Sequence, residues 1–317
     1  MTDRVLIAEE LRGLLGDAPV PGCDVEWIPA DRPTPSGDYR AVVPLLSRRF
    51  GAGEFRALPG LEIVANCAVG YDNIDLAAAR DAGVIVTNTP DVLTNATADL
   101  TWALILAVAR RLREGQELIG AGAWTGWHPE QLLGLELDGS TLGIVGAGRI
   151  GQAVGRRALG FGVQLLYAEV TGSRPRFEAE TGARRVELDE LLAESDIVTV
   201  HVPSTPVTRG MFGAARFAQM KRGALFINTA RGDVVDEWAL AAALESGQLG
   251  GAGLDVFADE PNVPTALVTD SKVVTLPHIG SATTRTRRAM AELAVRNVRQ
   301  VLEGGVPVSP VALPPQR

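Results

Sequence analysis

Short apolar runs rich in β-branched residues alternate with helical patterns along nearly the whole chain. Residues 5–8, 25–28, 41–46, 63–65 and 84–87 read as buried strands that end in turn chemistry. Pro44 sits badly in the third, because proline removes a ladder donor. Residues 31–38, DRPTPSGD, hold two prolines and a glycine and read as a loop. Residues 95–118 place Leu100, Leu104, Ala107, Val108 and Leu112 at helical spacing, which predicts one long helix able to act as a spine between two α/β regions.

A second series of strands is expected at 142–145, 163–167, 197–200, 225–228, 252–256 and 273–276, with helical segments such as 150–159 and 237–245 between them. Strand–helix alternation of this kind implies parallel sheets with helices on both faces. The last helical pattern, 284–302, reads as packing back on the first domain, with VSPVALPPQR a loose tail. The fold class expected is therefore α/β, with two doubly wound parallel-sheet domains.

One strand-to-helix junction carries a dinucleotide signature. Gly146, Gly148 and Gly151 form GAGRIG directly after an apolar strand and open a helix, with Arg149 and Ile150 between the glycines. The first glycine permits a tight turn, the second admits a pyrophosphate and the third lets helix and strand pack. The helix start supplies N–H groups and the positive dipole end. Glu169 ends the following strand, where an acid accepts from a ribose 2′-hydroxyl, so NAD(H) is the favoured cofactor. Arg174 and Arg176 follow closely and keep NADP(H) possible.

Three further strand ends carry an arginine, an acid and a histidine: Arg231 in INTARGDVVDE, Glu260 in GLDVFADEP and His278 in LPHIGSAT. Arg231 can clamp a carboxylate through two parallel hydrogen bonds. His278 can give a proton to a developing alkoxide, or take one in reverse. Glu260, bonded to the other ring nitrogen, would favour the imidazolium and fix its orientation. His201 reads as a wall of the cofactor cleft or a structural residue, and His128 as a structural or interface residue. Asp255 suits either a nicotinamide carboxamide or a turn.

Composition narrows the field. The chain has 317 residues, enough for two domains, with 46% hydrophobic and 21% charged residues and 35 glycines. A formal net charge of −8 and scattered arginines argue against a nucleic-acid partner. Cys23 and Cys67 make no disulfide framework and lack metal-ligand spacing. The start MTDRVLIAEE lacks the apolar core of a secretory signal, and the apolar run 101–109 is too short to span a bilayer. The expectation is a cytoplasmic protein with no membrane partner and no metal.

At these residues the chain resembles the D-isomer-specific 2-hydroxyacid dehydrogenases, and among them the glyoxylate/hydroxypyruvate reductases. The carriers are NCAVGYDNID (66–75), VTNTPDVLTNATADLTWALILAVARR (86–111), LGIVGAGRIGQAV (142–154), ELLAESDIVTVHVP (190–203), INTARGDVVDE (227–237), GLDVFADEP (253–261) and PHIGSAT (277–283). The resemblance implies a Rossmann NAD(P)-binding domain, residues 95–285, inserted in a flavodoxin-like substrate domain, residues 1–94 and 286–317. It implies catalytic roles for Arg231, Glu260 and His278, and substrate-carboxylate binding by the backbone at Val69 and Gly70. Thr97 and Asp255 would lie at the nicotinamide. His201, Val202, Pro203, Thr208, Thr229, Ala230 and Gly280 would add cofactor contacts.

The implied reaction is NAD(P)H-dependent reduction of a small 2-oxo acid to the D-2-hydroxy acid. The implied assembly is a homodimer, with Trp124 or Trp127 reaching toward the neighbouring active site. A D-3-phosphoglycerate or broader D-2-hydroxyacid dehydrogenase is the alternative, which Arg48 and Arg49 keep open. An NAD-sensing module like the C-terminal-binding corepressors is a more distant one.

Overall fold

The computed structural model describes residues 2–315, and the chain divides into two compact units. A split unit comprises Met1–Leu93 and Ser281–Arg317, and a central unit comprises Thr94–Gly280. The second crossing thus comes after Gly280 rather than after residue 285. The local bonds account for this. The Gly280 amide is held by Asp255 of the central unit, whereas the Thr283 hydroxyl caps the helix Thr284–Leu302 through the amide of Thr286.

The split unit is built on a five-stranded parallel sheet of β1 (Asp3–Ala8), β2 (Cys23–Ile28), β3 (Ala41–Val43), β4 (Ile63–Ala65) and β5 (Ile85–Thr87). Its order, β2-β1-β3-β4-β5, is the flavodoxin-like one. One face packs Leu6, Val42, Val64 and Val86 into a core with Phe50 and Phe55. β3 stops at Val43, so residues 44–46 are not strand as the apolar run predicts; Pro44 has no N–H to continue the ladder.

The tail also differs from expectation. Val311 donates its amide to Val86 O, and Ser309 bonds both Asn297 and Asn88, so residues 309–311 are fixed to β5 and the last helix rather than loose, while residues 316 and 317 lie outside the described residues.

The central unit holds a seven-stranded parallel sheet of β6 (Thr141–Val145), β7 (Gln164–Ala168), β8 (Arg184–Arg185), β9 (Ile197–Val200), β10 (Ala224–Asn228), β11 (Leu249–Leu254) and β12 (Val273–Thr275). The order β12-β11-β10-β9-β6-β7-β8 reverses direction between β6 and β9, the doubly wound arrangement. Alternate residues face opposite cores. Val198 and Phe226 pack with Phe212, Phe217 and Leu240, while Ile197, Leu225 and Ile227 pack with Leu104, Ile105 and Val154. β8 has two exposed arginines and no apolar alternation, which is why its sequence shows no strand signal.

The expected long helix is two helices, Thr94–Ala109 and Leu112–Gly120. The break has a plain cause. Arg111 adopts φ 52°, and the Ala109 carbonyl accepts from Leu135 N–H instead of continuing the helical ladder. The first of these helices buries Thr97, Thr101, Leu104 and Ile105 and packs on β10 and β11 within the central unit. No described helix is long and apolar enough to cross a membrane.

Candidate active site

In doubly wound sheets ligands gather outside the carboxyl ends of the strands, at the point where strand order reverses. In the central unit that point lies beyond β6, and the glycine loop follows it. Gly146, at φ 95°, donates its amide to Ala168 O. A Cβ there would meet His201 O at 2.8 Å, so this turn admits only glycine. A Cβ on Gly151 would lie 2.1 Å from Gly146 O, which shows how closely helix Arg149–Ala158 packs on its strand. Gly148, the residue capping that helix, is the opposite case: nothing lies within 4 Å of an added Cβ. Open space over a helix N-terminus fits a pyrophosphate, held by N–H groups and the helix dipole.

Glu169 sits just past β7. Its Oε1 accepts from the Thr171 amide and hydroxyl, and its Oε2 lies 3.3 Å from Arg174. Arg174 Nε in turn donates to Ala147 O inside the glycine loop, at 3.1 Å. An acid and a base therefore share this corner. Arg176 is elsewhere, paired with Glu180.

The segment after β9 forms the adjoining wall. His201 N–H donates to Val145 O, its carbonyl packs on Gly146, and its Nε2 lies 3.0 Å from Thr199 Oγ1. Burial pushes the imidazole down to about 3, so His201 is neutral. Val202 touches the Gly146 turn and Pro203 is exposed. Thr208 caps its own turn, donating to Pro203 O and accepting from Thr205 N–H. The Thr229 hydroxyl is spent on Thr101 at 3.0 Å, and Ala230 N–H on Asn228 Oδ1.

The three candidate groups leave neighbouring strands. Arg231 follows β10, Glu260 follows β11 and His278 follows β12. Asn228, at the end of β10, ties the first of these loops down, with its Nδ2 donating to Arg231 O and its carbonyl accepting Asp255 N–H. Gly232 then lies so tight against the next loop that a Cβ would fall 1.9 Å from the Phe257 carbonyl carbon. Glu237 completes the join, its Oε1 accepting Ala258 N–H at 2.9 Å. Burial, with Asp259, Asp236 and Glu260 nearby, raises the Glu237 carboxyl against the pull of that amide.

Glu260 accepts from Phe257 N–H at 3.0 Å and meets His278 Nδ1 at 2.9 Å. Burial would raise its carboxyl, but the His278 bond and charge, the Phe257 amide and the Arg231 charge outweigh it, and it is held below the usual carboxylate range. A carboxylate has no proton to give, so Nδ1 must carry the hydrogen, and Nε2 is the ring nitrogen left free of Glu260. His278 is at φ 54°, a left-handed residue whose neighbours hold it there.

Asp255, almost fully buried, takes the amides of Ile279 at 2.7 Å and Gly280 at 2.8 Å on its two oxygens. Desolvation raises its carboxyl against those two amides. The Thr97 hydroxyl donates to Gly280 O at 3.3 Å. Of the two roles open to Asp255 in the sequence, these bonds supply the turn. Thr97 and Asp255 together set the loop that presents His278.

Glu260→Gln should preserve the loop, because the amide oxygen still accepts from Phe257. It removes the negative charge from Nδ1. The expected result is a loss of reductive kcat/KM with NADH binding unchanged, and a wild-type kcat/KM would contradict this. The pair's contribution to folding follows the same chemistry. Glu260 is held below its ordinary value, so the stabilisation is present at neutral pH and is lost as pH falls through that lowered value.

Val69 and Gly70 lie in the split unit, past the end of β4. Their carbonyls accept from Asn88 Nδ2 at 2.7 Å and Asn66 Nδ2 at 2.8 Å. Arg48, a candidate cation for a phosphorylated substrate, is not one: it is 6% exposed, with Nη1 and Nη2 donating to Arg32 O and Pro29 O. Burial under the 29–34 loop consumes it, and Arg49 beside it is exposed. Sequence reasoning missed Asn66, Asn88, Asn228 and Glu237. All four act through main-chain groups distant in sequence or around a turn, which no side-chain motif announces.

Residues 102–280 match the family described as D-isomer specific 2-hydroxyacid dehydrogenase, NAD binding domain. The chain is 51% identical over 274 residues to the glyoxylate reductase of Thermococcus onnurineus, covering 85% of this chain and 82% of that one. Among solved structures it is similar to the NADPH-dependent glyoxylate/hydroxypyruvate reductase of Sinorhizobium meliloti in complex with NADP and malonate. That match has TM-score 0.89 and 35% identity over 98% of this chain and 97% of the other. The D-mandelate dehydrogenase of Rhodotorula graminis superposes with TM-score 0.84 at 32% identity, covering 98% of each chain. A doubly wound NAD-binding sheet and a match of this depth lead to one conclusion: the chain belongs to the D-isomer-specific 2-hydroxyacid dehydrogenase family of NAD(P)-dependent oxidoreductases.

Proposed function

We propose that the protein is a glyoxylate/hydroxypyruvate reductase, converting small 2-oxo acids to D-2-hydroxy acids. The observation that carries this reading is the 2.9 Å contact between Glu260 and His278 Nδ1, which commits Nε2 to the substrate oxygen, with the Arg231 loop packed against the loop of Glu260. The reduced nicotinamide, when bound, supplies the hydride. Arg231 binds the substrate carboxylate and orients the carbonyl, and His278 Nε2 protonates the oxygen as charge develops there. Glu260 holds the imidazole in place and stabilises its charge. In their own unit, Val69 and Gly70 bind a carboxylate through their peptide N–H groups. Gly146, Gly148, Arg149, Ile150 and Gly151 hold the pyrophosphate, with Glu169 at the ribose.

A panel of 2-oxo acids tests the substrate class. Glyoxylate and hydroxypyruvate should give the highest kcat/KM, and a phosphorylated hydroxypyruvate a low one, because Arg48 is buried under its own loop. A preference for the phosphorylated acid would transfer the assignment to the phosphoglycerate branch.

Both cofactors should turn over, NADH better. Arg174, pointed at the Glu169 corner, is the group able to meet a 2′-phosphate. Arg174→Ala is expected to lower kcat/KM for NADPH by about 10- to 100-fold, the worth of a lost charge-assisted bond. NADH should change much less, and equal losses for the two would contradict the assignment.

A second copy of the chain is proposed to cover Ile119, Trp124, Trp127 and Leu133 of the central unit, which are 55–84% exposed. The sedimentation mass should be that of a dimer, and Trp127→Asp should shift it toward the monomer. A cytoplasmic location goes with this reading.

A further inference from the structure

The loops of Arg231 and Glu260 leave two strands that are paired to their last residues, with Asn228 of β10 opposite Leu254 of β11. Beyond the sheet, the peptide joining Phe257 and Ala258 is gripped from the Arg231 side in two ways. Gly232 packs on it so closely that a Cβ would meet the Phe257 carbonyl and the Ala258 nitrogen. Glu237 takes its N–H, with Oε1 2.9 Å from the Ala258 nitrogen. The amide one residue earlier, Phe257 N–H, donates to Glu260 Oε1 at 3.0 Å. Two successive amides are thus held by two glutamates, one from the same loop and one from the neighbouring loop.

A peptide group is planar, so fixing the Ala258 N–H fixes the Phe257 carbonyl with it. The Phe257 backbone then has only its own two dihedrals left with which to aim the amide that Glu260 uses. Glu260 in turn meets His278 Nδ1 through its other oxygen, at 2.9 Å. The clamp on one peptide is therefore passed on to the acid and the histidine.

Glu237 occupies its place at a cost. It opens the helix Glu237–Glu245, yet Asp236 already caps that helix, accepting from the amides of Trp238 and Ala239 at 3.1 Å. Half-buried near Asp236, Asp259 and Glu260, its carboxylate is one of four acids in a small space. Like charges this close repel, and an apolar residue would relieve the repulsion. What the side chain gains there is the Ala258 amide.

We infer that Glu237 is a positioning residue for the reduction: reaching from the Arg231 side, it clamps the 257–258 peptide and so aims Glu260 at His278. This rests on the reading above that Arg231, Glu260 and His278 carry the reaction. The arginine that binds the carboxylate and the pair that delivers the proton need a fixed separation, because small misplacements are expensive.

The test is a double-mutant cycle on the full chain, with glyoxylate and NADH. Glu237→Leu removes the acceptor and should lower kcat about tenfold or more, with the Kd for NADH unchanged. Glu237→Gln keeps an oxygen for the Ala258 N–H and should recover kcat to within about threefold of wild type. Added to Glu260→Gln, Glu237→Leu should cost less than about threefold further, because the carboxylate it positions is already gone. Losses that multiply in full would overturn the inference. So would a wild-type kcat for Glu237→Leu, or a Glu237→Gln variant as slow as Glu237→Leu.

If Glu237→Leu does not fold, Glu237→Ala carries the same cycle and leaves room for water at the Ala258 amide. Wild-type protein is the control for the reading beneath. If it turns over no 2-oxo acid with NADH or NADPH, that reading fails and this inference with it. If it does turn over, and Glu237→Leu keeps its kcat, the role of Glu237 alone is overturned.

Discussion

His278→Asn is expected to lower kcat for glyoxylate reduction by about 10²- to 10⁴-fold, the usual worth of a positioned proton donor. Asparagine suits this test. Position 278 is at φ 54°, and asparagine is one of the few residues that enter the left-handed region readily. The loop should therefore keep its shape, since Asp255 holds it through the Ile279 and Gly280 amides and not through the imidazole. NADH binding, measured by fluorescence titration, should be nearly unchanged. A variant that retained wild-type kcat would remove His278 from the mechanism. One that lost NADH binding would show the histidine to be a structural part of the cofactor site.

Gly232→Ala should be nearly as damaging although it adds a single methyl group. The new Cβ would lie 1.9 Å from the Phe257 carbonyl carbon, 2.2 Å from its oxygen and 2.3 Å from Ala258 N. All three are backbone atoms, so no flexible side chain can give way. Either the Arg231 loop or the Glu260 loop must move, and a misplacement of about 1 Å can cost 10²-fold in rate. The expected result is a fall of about 10²-fold in kcat/KM, with a lower Tm.

Gly148→Ala provides the contrast. Nothing lies within 4 Å of that Cβ, so Tm should hold while KM for NADH rises, because the added methyl occupies the space a pyrophosphate needs. If the two variants behaved alike, the distinction between a packing glycine and a ligand-facing one would fail.

The contrast between these glycines also marks how far the sequence is legible. Gly146, Gly148 and Gly151 are readable because a strand-to-helix junction fixes their spacing, and phosphate chemistry fixes what each must do. The roots of Arg231, Glu260 and His278 are readable because each follows a short apolar run bounded by turn residues. What the apolar pattern cannot carry is the bonding between loops. Asp255 looks equally suited to ligand or turn until the Ile279 and Gly280 amides appear on its two oxygens. Arg48 looks like a free cation until residues 29–34 fold over it.

Helix boundaries fail for the same reason. Residues 95–118 keep helical spacing through Arg110 and Arg111, and only the distant Leu135 amide, taking the Ala109 carbonyl, breaks the run. The tail reads as loose because VSPVALPPQR has no periodicity. The order of residues 309–311 comes from bonds to Val86, Asn88 and Asn297, partners that no local pattern announces.

The central claim is that the sheet edge carrying Arg231, Glu260 and His278 reduces 2-oxo acids to D-products. Hydroxypyruvate tests it most directly, because its product is chiral where glycolate is not. Purified protein should consume one NADH for each hydroxypyruvate and release D-glycerate. L-glycerate, or no consumption of NADH or NADPH with any small 2-oxo acid, would contradict the account.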